Sequence, residues 1–184
     1  MNKTLKQFDI LVAGEINPDL ILTGNVTPEF GQVEKIVDTA ALTIGSSSVI
    51  FACSAARLGL KVAFIGICGN DVFGRFMLDE MSKRGVDIGN VVVRQNEPTG
   101  LSVILNQLSD RAILTHSGLI AELQASDIPD DLLCKASHLH VASYFLQTKL
   151  QPDLSALFKR AQSFGLTTSL DTNYDPSEKW TSFD

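Results

Sequence analysis

The 184 residues have an ordinary globular composition, with 45% hydrophobic and 20% charged residues. This balance excludes a disordered or collagen-like chain, and the length predicts one domain, with room for a second small one. Fifteen Lys and Arg against 21 Asp and Glu give a net charge of -6. The sequence has no basic block of the kind that neutralises a phosphate backbone, so we expect no nucleic-acid binding.

Three further features bear on the compartment. No apolar run is long enough to span a bilayer, and the first 14 residues lack the small-residue cleavage pattern of a signal peptide. Cys53, Cys68 and Cys134 are widely spaced and form no CxxC pair, which favours reduced core thiols over metal or redox chemistry. Together these features predict a cytoplasmic protein that does not contact a membrane.

Taken in chain order, short apolar runs of strand type alternate with segments of helical spacing. The predicted strands are 8–14, 61–67, 137–142 and 166–170. The predicted helices, each followed by a glycine, are 47–58, 71–84 and 152–164. Alternation of this kind indicates βαβ units on a parallel sheet, so the predicted fold class is α/β.

Two regions break the alternation. Residues 33–44 and 100–115 are strand-like without an intervening helix, and with 91–94 they predict a small antiparallel sheet beside the main one. The last predicted strand, 166–170, is followed by no helix that would cover it. It therefore lies at an edge or in an incomplete sheet, or the chain is part of something larger.

Polar residues follow the first strand and precede the first helix. Asn17 and Asp19 offer an amide and a carboxylate that can hydrogen-bond adjacent hydroxyls of a polyol, but Asn-Pro-Asp is equally typical of a turn. Gly45 and Ser46, with two more serines, lead into the helix at 47–58. Helix capping explains these serines, and so does an entry whose backbone donors face a polar ligand.

Other motifs are absent or incomplete. The sequence contains no Walker A, GxGxxG, GxSxG or HExxH motif. His138 and His140 share one face of a strand, but without a third ligand we predict no metal site. Asp171 and Asn173 end the last strand, where they cap it or hold a metal-bound phosphate.

Several short motifs follow one another along the chain in a defined order and spacing. A Gly-Ser entry, an Ala-rich helix and a strand occupy 45–66, and the turn at 69–74 reads Gly-Asn-Asp-Val-Phe-Gly. Pro98-Thr99-Gly100 and Asp171-Thr172-Asn173 follow, with Trp180 downstream. From Phe8 to Trp180 this series resembles the PfkB family of ribokinase-like carbohydrate kinases.

The resemblance implies a fold and an activity. It implies a three-layer α/β/α core with a small antiparallel β-sheet lid, whose strands lie near 20–44 and 91–115. Residues 1–184 would be the N-terminal part of one such domain, truncated before its C-terminal half. It further implies phosphorylation of a sugar or nucleoside hydroxyl with ATP and Mg²⁺, and homodimers formed through the lid sheet.

The resemblance also assigns site residues. Asn17, Asp19, Gly45 and Ser46 would bind the substrate, and Asp171 and Asn173 would lie on the phosphate and Mg²⁺ side. No catalytic residue is assigned, because the sequence lacks the family's Gly-Ala-Gly-Asp turn with its catalytic Asp.

Three positions depart from the family pattern. Ser46 replaces a usual Gly, Ile50 a usual Asn that would bind a hydroxyl, and Asp175 a residue that is basic in many members.

Three hypotheses follow from these observations. The first is a sugar kinase of which this chain holds most of the sugar side, with negligible turnover by the chain alone. The second is a non-catalytic sugar-binding or assembly module. The third, a Rossmann-type oxidoreductase, has the alternating pattern but lacks the glycine fingerprint.

Overall fold

A computed structural model describes residues 6–180. The strands in this part of the chain are β1 (Phe8–Ala13), β2 (Pro18–Thr23), β3 (Thr39–Ile44), β4 (Val62–Ile65), β5 (Ile67–Gly69), β6 (Val86–Asp87), β7 (Val92–Arg94), β8 (Leu101–Gln107), β9 (Asp110–His116), β10 (Ala136–Val141) and β11 (Thr167–Leu170). The α-helices are α1 (Ser47–Arg57), α2 (Val72–Lys83), α3 (Asp130–Cys134) and α4 (Leu154–Ser163).

The core sheet has five parallel strands in the order β11-β10-β1-β4-β6. Side chains on alternate faces of its strands enter two separate hydrophobic clusters. Val12 of β1 packs in the cluster of α1 and α2, whereas Leu11 packs in the cluster that contains Leu133 of α3 and Leu157 of α4. The sheet therefore lies between two helical layers, which confirms the predicted three-layer α/β/α core.

The strand order creates a crevice beside β1. From β1 the chain proceeds to β4 and β6 on one side, and later to β10 and β11 on the other. In open α/β sheets such a reversal leaves a crevice at the carboxyl ends of the strands, where ligands bind. The segments after β1, β10 and β11 all emerge at this edge. Within the described residues, β11 pairs only with β10 and lies at the sheet edge, which is one of the alternatives that the sequence left open.

Four strands form the second sheet, in the order β3-β2-β8-β9, which we call the lid sheet. Its outer pairs are antiparallel, as expected, but the central pair β2–β8 is parallel. The reason is that both strands start where the chain leaves the core, so that Asp19 pairs with Ser102 near the beginning of each.

Two details of the predicted lid are wrong. Residues 91–94 do not join it, because β7 pairs with β5 in a separate two-stranded parallel sheet. Residues 33–38 are not strand, and β3 begins at Thr39.

The predicted core strand 61–67 is interrupted at Gly66. This glycine lies against the backbone after β1, where a Cβ would be 2.4 Å from the Gly14 carbonyl oxygen.

Capping residues fix the starts of two predicted helices. The Ser46 hydroxyl accepts from the Val49 amide at 3.1 Å, and the Asp71 carboxylate accepts from the Gly74 amide at 2.8 Å. The five-residue helix α3 was not predicted from the sequence.

The three cysteines are free thiols. Within residues 6–180, no helix is long and apolar enough to cross a bilayer.

Candidate functional site

A cavity of about 870 Å³ lies between the carboxyl edge of the core sheet and the lid sheet. The residues that the core contributes form what we call the floor. They are Glu15, Asn17, Ser46, Ser47, Ile50, Ser143, Leu146, Asn173 and Tyr174. The residues that the lid contributes form the roof. They are Asp19, Ser102, Ile104, Arg111, Ile113 and Thr115.

Most of the candidate site residues identified from the sequence lie around this one cavity. Asn17, Asp19, Ser46 and Asn173 all line the cavity. Gly45 is buried directly behind Asp19, where an added Cβ would lie 2.2 Å from Asp19 Oδ1 and 2.8 Å from the Asn17 carbonyl oxygen. A side chain at position 45 would therefore displace the Asp19 carboxylate. Asp171 is the exception, because it is exposed and does not line the cavity.

Asn17 and Asp19 stand at the junction between core and lid. Pro18 and Asp19 are the first residues of β2, so the Asn-Pro-Asp segment opens a strand rather than forming a tight turn. Asn17 Nδ2 donates to Ser102 Oγ at 3.3 Å, which ties the junction to β8. Burial raises the pKa of the Asp19 carboxyl to about 6, while the charge of Arg111 opposes this shift.

Glu15 is a buried carboxylate that sequence reasoning missed. Its side chain lies at the floor and is 2% exposed. Three serine hydroxyls donate to it: Ser46 at 2.8 Å, Ser48 at 2.6 Å and Ser143 at 2.7 Å. Because all three hydroxyls donate to this one carboxyl group, it fixes the direction of each of them. Burial raises the pKa of Glu15, and the serine hydrogen bonds oppose that shift.

The network continues from Glu15 to the loop after β11. Asn173 Nδ2 donates to Ser143 Oγ at 3.1 Å and to Ser47 Oγ at 3.0 Å, and its Oδ1 accepts from the Tyr174 amide at 2.7 Å. Hydrogen bonds therefore hold both the nitrogen and the oxygen of the Asn173 side-chain amide. The network joins the segments after β1, β10 and β11 to the start of α1. Ser143 carried no motif in the sequence, and a lone acidic residue after a strand did not distinguish Glu15.

Ser46 shows how this chain accommodates its departure from the family's Gly. Its backbone has φ 67°, a conformation that glycine adopts more readily than serine. In return, the hydroxyl donates to Glu15 and also accepts from the amide that it caps. Ile50 lines the cavity with an apolar side chain, so it supplies no hydrogen bond to a ligand there.

The loop after β11 contains a second buried carboxylate. Asp175 accepts from the Ser177 amide at 2.8 Å and from the Trp180 amide at 2.7 Å, and it is 4% exposed. Burial by itself would raise the pKa of Asp175, but hydrogen bonds from the Ser177 hydroxyl and from these backbone amides lower it. The side chain thus organises the turn. Trp180 contacts the rings of Tyr174 and Phe145 edge to face.

Potential metal ligands are scattered in the described part of the chain. Among residues 6–180 there is no group of three or more His, Cys, Asp or Glu side chains placed to hold an ion. His138 and His140 share a face, as predicted, and both contact Ser169 Oγ at 2.7 Å. Asp171 Oδ1 accepts from the Asn173 amide at 3.0 Å, and the Asn173 side chain is occupied by protein partners. The described residues therefore do not form a Mg²⁺ site by themselves.

Comparison with known proteins agrees with the fold. The family model for pfkB family carbohydrate kinases matches residues 8–182. A 2-dehydro-3-deoxygluconokinase from Bacillus subtilis (strain 168) is 31% identical over 161 residues, which cover 81% of this chain and 48% of that kinase. The chain therefore belongs to the pfkB family of carbohydrate kinases, which confirms the resemblance. It spans about half the length of the curated relatives it matches.

Solved structures share the fold at lower identity. The PfkB protein from Polaromonas sp. JS666 superposes with a TM-score of 0.80 at 23% identity, covering 92% of this chain and 57% of that one. A ribokinase II-type protein from E. coli, solved with ATP and Mg²⁺, has a TM-score of 0.76 at 21% identity, covering 92% and 53%. These matches support the layered core and the lid sheet.

We predict that Glu15→Gln destabilises the fold by about 1–3 kcal/mol, because an amide cannot accept from all three serines and its own N–H donors lack partners. Urea denaturation of the 184-residue chain measures the difference. Glu34→Gln is the matched control, since Glu34 is exposed, and should change stability by no more than about 0.5 kcal/mol. Equal stabilities of the two variants would show that the network does not stabilise the fold.

We predict that Asp19 makes stability pH-dependent between its usual pKa of 3.8 and its folded pKa of about 6. The folded state keeps the proton in this window and the unfolded state loses it, so stability falls as pH rises. Asp19→Asn cannot titrate. The stability difference between the variant and wild type should therefore increase from about pH 4 to about pH 6 and stay level outside that range. A constant difference across the whole range would contradict a raised pKa.

Proposed function

We propose that this chain forms the sugar-binding side of a carbohydrate kinase that phosphorylates a hydroxyl of a sugar or nucleoside. The observation that carries the proposal is the convergence of Asn17, Asp19 and Ser46 on one cavity beneath the lid sheet. Carboxylates and amides so placed hydrogen-bond the hydroxyls of a polyol. Membership of the pfkB family supports the same assignment.

Each part of the cavity has a separate task in this proposal. The Asp19 carboxylate and Asn17 amide hold the acceptor hydroxyls at the junction of core and lid, and Gly45 leaves the space that Asp19 occupies. Ile104 and Ile113 of the roof cover the ligand with apolar surface. A covering of this kind excludes water, which would otherwise compete as the acceptor in phosphoryl transfer.

ATP and Mg²⁺ are the cofactors that we propose for the whole enzyme. A structural neighbour contains both, and ATP with Mg²⁺ supplies the phosphoryl group and neutralises its charge. Asp171 and Asn173 are the residues that we assign to the phosphate and Mg²⁺ side. Because the described residues do not form a metal site, we derive no step through the ion and assign no catalytic residue.

We predict that the 184-residue chain binds a sugar but does not phosphorylate it, because its sequence lacks the Gly-Ala-Gly-Asp segment. Isothermal titration with a panel of sugars, sugar acids and nucleosides measures binding, and a coupled assay with ATP and Mg²⁺ measures turnover. Sugar-dependent ADP formation by this chain would contradict the predicted inactivity. Absence of heat with every compound would contradict the sugar site itself.

Two glycine variants make the binding test specific. Gly45→Ala should weaken sugar binding about tenfold or more, because the new Cβ displaces Asp19 and removes a charged hydrogen bond. Gly89→Ala is the control, since a Cβ there would lie 3.2 Å from the side chain of Asp87, outside the cavity. Equal affinities of the two variants would show that the ligand binds elsewhere.

A non-catalytic sugar-binding or assembly module is the second candidate. The observation that favours it is Asp175, whose buried carboxylate occupies the loop after β11 and supplies no positive charge for a phosphate. The coding sequence that follows Asp184 distinguishes the two candidates. An intact Gly-Ala-Gly-Asp segment there supports the kinase, and a stop codon supports the module. We propose a cytoplasmic location for either, in keeping with three free thiols.

We also propose that two copies of the chain associate through the outer face of the lid sheet. Leu42 and Leu114 lie on that face and are 39% and 61% exposed. Leu20 pairs with Leu42 and with Val103, which in turn pairs with Leu114, so one apolar row crosses all four strands. A second copy of the same face is a fitting partner, because a two-fold interface joins identical patches. The strands β3 and β9 at the two lid edges are open to pairing as well.

We predict that the wild-type chain is a dimer and that Leu114→Glu makes it a monomer, because the new charge would be buried in the interface. Light scattering over a range of concentrations measures the mass. Leu58→Glu is the control, since Leu58 is 84% exposed at the end of α1, away from the lid. A wild-type mass that corresponds to one chain at every concentration would exclude this association.

A further inference from the structure

Among the described residues that line the cavity, Arg111 is the one cationic side chain. It lies on β9 and alternates with Ile113 and Thr115, which line the roof on the same face of the strand. Its guanidinium makes no hydrogen bond or ion pair with any residue between 6 and 180. Arg75, Arg84, Arg94 and Arg160, in contrast, all bind a described side chain or carbonyl group. The Arg111 charge is therefore available to a ligand.

The position of Arg111 leaves a gap for a ligand beside Asp19. The guanidinium is close enough to oppose the raised pKa of the Asp19 carboxyl, yet the two groups are not within ion-pair distance of 4.0 Å. Arg111 is four residues from Thr115 along β9. Thr115 pairs with Ser102 of β8, which in turn pairs with Asp19 of β2. At strand spacing this separation is about 13 Å. One end of the roof thus offers a hydroxyl-binding carboxylate and the other a cation.

The remaining charges in the cavity are negative. Glu15, Asp19 and Glu178 line it, and Tyr174 donates its hydroxyl to Glu178 at 2.6 Å. As far as residue 180, the loop after β11 contributes no cation to the lining. A doubly charged phosphate would face three carboxylates with a single guanidinium to neutralise it. A carboxylate carries one charge and matches the two parallel N–H donors of one guanidinium.

We propose that Arg111 is an anion subsite and that the preferred ligand of this cavity is a sugar or polyol that bears a carboxylate. In this arrangement Asp19 and Asn17 bind hydroxyls at one end of the ligand, and Arg111 binds the carboxylate from the roof. The proposal rests on the sugar-binding function above and names the chemical class of its substrate. Arg111 then discriminates sugar acids from neutral sugars of the same length.

The test uses the pair D-gluconate and D-glucitol, which have the same six-carbon chain and differ in a carboxylate against a CH₂OH group. Titration calorimetry on the 184-residue chain gives both affinities. We expect gluconate to bind about tenfold to a hundredfold more tightly, which is the effect of one charged hydrogen-bonded contact. Arg111→Met keeps the side-chain length, removes the charge and should reduce the ratio to about one, with the affinity for glucitol unchanged.

Two further variants and a third ligand test whether the preference depends on the paired donors of Arg111 and on the kind of anion. Arg111→Lys keeps the charge but loses the paired donors, so its ratio should fall between those of wild type and Arg111→Met. Arg57→Met, at the end of α1 and outside the cavity, should leave the ratio unchanged. D-glucitol 1-phosphate, whose phosphate is on the carbon that corresponds to the carboxylate of gluconate, tests the other anion. Tighter binding of this phosphate than of gluconate would overturn the assignment to a carboxylate.

The outcomes separate this proposal from the sugar-binding function. If gluconate and glucitol bind wild type equally well, the sugar site stands and the anion subsite is wrong. If the preference for gluconate persists in Arg111→Met, the carboxylate is bound by another residue and the proposal is also wrong. If neither compound nor any other sugar binds, both the sugar-binding function and the subsite fail. Circular dichroism of each variant confirms that it is folded, which is expected because Arg111 is exposed.

Discussion

The floor of the cavity depends on one buried carboxylate at the end of β1. Glu15 accepts hydrogen bonds from three serines that come from two distant parts of the chain. Burial of this carboxyl group is costly, but the hydroxyls offset the cost and gain a fixed direction in return. With its proton directed at Glu15, the Ser143 hydroxyl is left to accept from Asn173. One buried carboxyl group therefore determines the orientation of groups on three segments.

The core fold was predictable because its determinants are local. Short apolar runs predicted the central strands, and apolar spacing with a cap at Ser46 or Asp71 predicted α1 and α2. Asn17 and Asp19 were predictable for a related reason, since residues after a parallel strand meet at the carboxyl edge of the sheet. Their position in the sequence was sufficient, and no knowledge of their partners was needed.

The features that were not predicted depend on distant partners. Glu15 and Ser143 are 128 residues apart, and neither belongs to a recognisable motif. The parallel pairing of β2 with β8 and the separate pairing of β7 with β5 are also long-range choices. A strand pattern shows which face of a strand is buried, but it does not show which strand lies beside it. The lid was therefore predicted as a region and not as a topology.

The way in which the lid sheet is attached to the core determines the distance between Asp19 at its base and Arg111 at its far end. At the start of β8, Thr99 is buried, and its hydroxyl accepts from the Gly69 amide and donates to Asp71, both at 2.8 Å. A Cβ on Gly100 would lie 2.6 Å from Ile120, so the backbone there packs without free space. The base of the lid is thus fixed to the core near Asp19, whereas β9 is exposed along its whole length. Any movement of the lid would carry Arg111 further than it carries Asp19, so the span between hydroxyl and anion contacts can adjust to the ligand while the floor keeps its shape.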